Sequence, residues 1–394
     1  MKKQFIKLSD TPVTDDSPIP LAPPLQQPIR FYLSIAIVSI MILACSIFVP
    51  QKPTPDPTAT IEPTPQIDLD KINIDYIYRS DLISIIYPLY GSILDDFTIV
   101  TITNTNELPV KIMVSSEVQG FTMKSVDTIT VDAQSTEEIR QNPRLDSIVF
   151  ERLNVEQPAQ FRIEVSALEN GEEKILLEES GETLVFARRD FPWSIPGMTE
   201  QEDFELLAAM VTPNDPAVEQ LLRYAADYTQ SGSMWGGYNG VNNDEDSDVW
   251  ERLEAIWKAE QNEYGLTYLS TLVTYAPGDI QRIRLARETL EQRAGNCIDL
   301  ALLYASAAEA IRLEPAIIGI PGHAFVAIRT DQINSVYYFI ETTLIGQSDF
   351  SEAVSMGKDE WYEVKEKVEN SEPSYNWVTI ADARAKGILP LPWP

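Results

Sequence analysis

The chain has 394 residues with 60 acidic against 30 basic side chains, a formal net charge of −30, one histidine and two cysteines. So acidic an exterior repels polyanions, which argues against a nucleic-acid partner. One histidine and two cysteines supply too few ligands of the usual types for a zinc centre unless carboxylates complete it, so no metal or other cofactor is expected.

In chain order, the first feature is an uncharged apolar run over residues 31–49, FYLSIAIVSIMILACSIFV. At about 1.5 Å per residue a helix of that length nearly crosses a hydrocarbon core of about 30 Å. It reads as one transmembrane helix. Lys2, Lys3, Lys7 and Arg30 precede it and only Lys52 follows closely, so the positive-inside rule puts residues 1–30 in the cytoplasm and the remainder outside. Ile42-Leu43-Ala44-Cys45 resembles a lipobox, and a lipid anchor on Cys45 is the alternative tether. Residues 50–68 are rich in proline and threonine and read as an extended stalk.

Residues 69–190 carry short runs rich in β-branched side chains, FTIVTITN, PVKIMVSS, DTITVDA, AQFRIEVSAL and ETLVFAR, separated by turn signals such as Asn170-Gly171. That spacing predicts an all-β, immunoglobulin-like sandwich. It holds no histidine or cysteine, which suits a support or adhesion module. From Asp203 the period becomes helical, with FELLAAMV, a helix after Asn214-Asp215-Pro216, and VWERLEAIWKAEQNEYG. Residues 191–394 are therefore expected to form a second, α+β domain. The acidic run Asp244-Glu245-Asp246-Ser247-Asp248 reads as a helix start, with a calcium loop as the rival reading.

Chemistry concentrates in residues 284–328, RLARETLEQRAGNCIDLALLYASAAEAIRLEPAIIGIPGHAFVAI. Gly295-Asn296 breaks the chain, and the small and aliphatic residues from Cys297 to Leu313 read as a buried helix. Cys297 then sits in its first turn, where unpaired backbone N–H groups and the helix dipole favour a thiolate. PAIIGI reads as a strand, Pro321-Gly322 as a turn, and HAFVAIR as a strand forming an antiparallel hairpin with VYYFIETTLIG. If paired residue numbers sum to about 664, His323 lies opposite Glu341 with their β-carbons about 5 Å apart; an odd sum would put them on opposite faces.

Taken together, GNCIDLALLYASAAEAI, GHAFVAI and FIETT resemble the transglutaminase-like superfamily across about residues 280–346. The resemblance implies a papain-type domain with a Cys-His-Asp/Glu triad: Cys297 as nucleophile within Gly295-x-Cys297-x-Asp299, His323 as general base, and Glu341 in the place usually taken by aspartate. Asp299 is expected to cap the helix. The implied chemistry is thiol-mediated acyl transfer or amide hydrolysis on a peptide or protein substrate, as a peptidase, amidase or cross-linker. The Cys297 N–H would be one oxyanion donor; the second is not assigned by sequence, Gln281, Trp235, Tyr238 and Tyr264 being candidates, with core or cleft wall the favoured reading of the three aromatics. The rival function is a catalytically silent surface binding or adhesion protein. Oligomeric state is not encoded.

Overall fold

The computed structural model describes residues 66–391, apart from 143, 170–171, 235, 239–244, 271–279 and 332–335. The expected membrane helix at 31–49, the lipobox and nearly all of the stalk lie outside the described residues. Among the described residues no helix is long and apolar enough to cross a membrane. All of them belong to one compact unit, Pro63–Pro394.

The protein is mixed α+β. Its N-terminal half holds β1 (Ile72–Tyr78), β2 (Asp81–Leu82), β3 (Thr98–Asn104), β4 (Val110–Val118), β5 (Ser125–Val131), β6 (Ser135–Gln141), a short α1 (Ser147–Arg152), β7 (Gln157–Glu169) and β8 (Glu172–Val185). These pair as a three-stranded sheet, β1-β3-β6, and a five-stranded sheet, β2-β8-β7-β4-β5. Burial alternates strictly along β3, as period-two side chains require when only one face is covered. Val100 and Ile102 from one sheet and Ile112, Val114, Ile163 and Val165 from the other meet in one apolar core.

Next come β9 (Asp190–Pro192), α2 (Glu200–Glu205), α3 (Pro216–Ala226), α4 (Glu245–Ala259), β10 (Thr267–Tyr268), β11 (Ile280–Arg282), α5 (Ala286–Gln292) and β12 (Ala294–Gly295). The FELLAAMV segment does not continue as one α-helix: after α2, which Thr199 and Glu202 close with a capping box, Leu206–Met210 tightens into a 3-10 turn. Asp215 caps α3 with Pro216 in its first turn. The acidic run falls partly outside the described residues, and α4 begins at Glu245.

The C-terminal part holds α6 (Cys297–Ala310), β13 (Pro315–Ile320), β14 (His323–Arg329), β15 (Tyr337–Ile340), α7 (Phe350–Glu369), β16 (Asn376–Thr379) and α8 (Ile380–Ala385). The four strands form an antiparallel sheet in the order β15-β14-β13-β16. Helices lie on both faces. On one, Ala324, Val326, Ile328 and Ile340 join the main core with α6, whose residues from Cys297 to Ala308 are all buried. On the other, Ile318, Phe325 and Ala327 form a separate cluster with Val364 of α7, flanked by Phe339, Trp361 and Trp377.

Candidate active site

Three local devices position the site. Asn296 caps α6 by accepting from Asp299 N, while the Asp299 carboxylate accepts from Asn296 N, a capping box that fixes Cys297 at the first helical position. The Asp299 carboxylate also takes Arg284 N and Arg284 Nη1, both at 2.8 Å, and is fully buried. Asp299 is thus committed to structure. Pro321-Gly322 closes the β13–β14 hairpin in two residues, with Gly322 at φ 76°, a value that favours glycine, and so begins β14 at His323.

The third device differs in register from the sequence expectation. The β14–β15 ladder pairs Val326 with Ile340 and Ala327 with Phe339, a sum of 666 rather than 664. The sum is even, so His323 and Glu341 still share a face. Glu341, however, is not in the ladder: β15 ends at Ile340, and Glu341 caps the 3-10 turn Thr342–Leu344 by accepting from Thr343 N. It reaches His323 diagonally, and its extra methylene relative to aspartate suits that reach.

The structure brings the three expected residues together. His323 Nε2 lies 2.7 Å from Glu341 Oε2, and the imidazole is hydrogen-bonded to the Cys297 side chain. Since Nε2 faces the carboxylates, Nδ1 is the nitrogen left for sulfur. Glu341 Oε1 is held by both Thr343 N and Thr343 Oγ1. Burial lowers the His323 pKa, but bonds to Cys297, Glu341 and Glu360 and the Glu341 charge outweigh it and push it up to about 12. Glu341 is also opposed by burial, yet its bond to His323 holds it below the usual carboxylate range. The site is built to carry an imidazolium.

Glu360 of α7 was not foreseen. Its Oε1 lies 3.6 Å from His323 Nε2, and its carboxylate stands beside that of Glu341. Burial raises its pKa, its contact with His323 lowers it, and the neighbouring Glu341 raises it again, leaving it above the usual carboxylate value. His323, Glu341 and Glu360 are the group among the described residues whose side chains could hold a metal ion, with ligand atoms all within 4.8 Å of one another.

The other cleft candidates are occupied elsewhere or lie outside the description. Gln281 Nε2 donates to the Arg282 carbonyl. Tyr238 Oη donates to the Arg329 carbonyl and accepts from Glu314 N, tying two strands rather than facing a substrate. Tyr264 packs edge-on against Tyr224. Trp235 is outside the described residues. A cavity of about 830 Å³ lies along β15 and α7, walled by Tyr337, Phe339, Trp361 and Trp377 among others, and neither Cys297 nor His323 lines it.

No family model matches the chain, and no curated protein matches it significantly. Among solved structures, an Archaeoglobus fulgidus protein is similar at 10% identity and a TM-score of 0.19, covering 29% of this chain and 94% of its own. A Cytophaga hutchinsonii protein solved as a candidate cysteine protease is similar at 12% identity and a TM-score of 0.21, covering 60% of this chain and 72% of its own. Neither likeness is close enough to equate folds or chemistry, and the functional reading rests on the site itself.

Proposed function

We propose that this is a transglutaminase-like cysteine enzyme whose papain-type domain performs acyl transfer or amide hydrolysis on a peptide or protein substrate. The observation that carries the reading is that the His323 ring stands between two groups, engaging the Cys297 side chain and lying 2.7 Å from Glu341 Oε2 through its Nε2. His323 takes the thiol proton, leaving a thiolate beside an imidazolium that Glu341 stabilises and orients. The thiolate attacks a carbonyl carbon, and the oxyanion meets the Cys297 backbone N–H, which has no intrahelical partner at the first helical position. His323 then returns its proton to the leaving group. Water or an amine attacks the thioester and releases the acyl group.

The β-rich half is proposed as an immunoglobulin-like support, held outside the cell by the stalk and the membrane helix at 31–49. A second reading has an observation of its own: Cys297 is only 1% exposed. A nucleophile so covered suits a silent binding or adhesion protein that keeps the fold without turnover.

Acid quenching during reaction with an activated peptide ester separates the two. The enzyme gives a thioester adduct mapped by mass spectrometry to Cys297, and Cys297→Ala abolishes both adduct and ester cleavage. Ester cleavage without an adduct, unchanged in that variant, contradicts it.

A further inference from the structure

We infer that His323, Glu341 and Glu360 form a divalent-cation site, with zinc as the ion whose ligand preference it fits, and that occupancy switches the thiol chemistry off. The switching rests on the catalytic reading above; the binding does not.

The geometry is close to that of a zinc site. Zinc binds imidazole nitrogen at about 2.0–2.1 Å and carboxylate oxygen at about 2.0–2.2 Å, so ligands at tetrahedral angles stand about 3.4 Å apart. The separations from His323 Nε2 are 2.7 Å to Glu341 Oε2 and 3.6 Å to Glu360 Oε1, on either side of that value. Adjusting them takes small side-chain movements.

The far side of each of two ligands is already held, as in built metal sites. Thr343 fixes Glu341 through its other oxygen, and Cys297 engages the other side of the His323 ring. Glu360 stands on α7, where Gly357 brings the helix against the β15 backbone. The site is also reachable: the His323 and Glu360 side chains are 22% and 23% exposed. Its two carboxylates face one imidazole, an excess of negative charge that a divalent ion neutralises.

Zinc at Nε2 would replace the proton shared with Glu341 and leave the remaining ring proton on Nδ1, directed at sulfur. The Nδ1 proton can still face the sulfur, but passing it to a leaving group would now leave an imidazolate rather than a neutral imidazole, so the ring no longer shuttles protons. The base is disabled without the ion touching Cys297.

This separates the site from the commoner case of zinc captured by a cysteine thiolate. Titration of the full-length chain with zinc chloride by calorimetry should detect a site that survives Cys297→Ser within about threefold. Glu360→Gln should weaken it at least about tenfold, as loss of a ligand requires. X-ray absorption on the zinc-loaded wild type should show nitrogen and oxygen neighbours only, without the sulfur shell near about 2.3 Å. That spectrum does not depend on any variant folding. Absence of the site in wild type, equal affinity in Glu360→Gln, loss in Cys297→Ser or a sulfur shell each overturns the inference. Zinc binding as described, with Cys297 unreactive in its absence, leaves the site standing and removes the enzyme.

Discussion

Gly357 of α7 lies so close to Phe339 of β15 that a β-carbon built on it would sit 2.7 Å from the Phe339 carbonyl oxygen and 2.7 Å from Ile340 N. On an exposed helix, replacing glycine by alanine stabilises by about 0.5–1 kcal/mol. Here the obstructing atoms are backbone and the sign reverses. Gly357→Ala should cost about 1–3 kcal/mol net, the usual range for overpacking, read from urea unfolding. Glu360 follows three residues later on the same helix face, so the substitution should also withdraw it from His323 and weaken zinc binding.

The start of α6 depends on a buried ion pair. Asp299 has no exposed side-chain area and takes three hydrogen bonds, two from Arg284 and one from Asn296 N. Asp299→Ala removes the carboxylate facing the Arg284 guanidinium, which keeps Gln292 as a partner, and unties the helix cap, and should cost about 3 kcal/mol, the low end for breaking a buried pair. Asn296→Ala, which removes one cap bond, should cost about 1 kcal/mol. Denaturant titrations of the two variants should keep that order.

Two buried carboxyls should make stability fall as pH rises. Burial raises Asp203 from 3.8 to about 6 and places Glu260 well above 4.5, with one Glu260 oxygen unpartnered. A raised folded-state pKa means that the charged form is disfavoured in the fold. The associated stability is complete below the unfolded values, near 4, and is lost through about pH 6 for Asp203 and higher for Glu260. Glu260→Gln should therefore raise the Tm at pH 8 and change it little at pH 4. Asp203→Asn should flatten the Tm profile between pH 4 and 6.

Much of the site could be read from sequence because its devices are local. Gly295-Asn296 before an all-apolar helix and Pro321-Gly322 between two strand patterns each act within a few residues, and both appear as expected around Cys297 and His323. Glu341 was legible in type and face but not in role, since nothing local said that β15 would stop at Ile340 and turn its next residue into a cap. Glu360 was not legible. It lies in SMGKDEWYEVKEKVE, whose charges read as a solvated helix face, and only the glycine at 357, poor in a helix interior, hinted at a close approach. The same blindness affected β6, whose STEEIRQ sequence is that of a mostly exposed edge strand.

The central claim is that His323 activates Cys297 as a nucleophile, and the rate of Cys297 alkylation by iodoacetamide at pH 6.5 tests it most directly, mapped by mass spectrometry to exclude Cys45. An unassisted thiol with a pKa of about 8.5 is about 1% thiolate at that pH. The wild type should alkylate at least about tenfold faster than His323→Ala at pH 6.5, with the two rates converging toward pH 9 as the variant ionises unaided. Slow alkylation in both proteins, with the same pH dependence, would contradict the account.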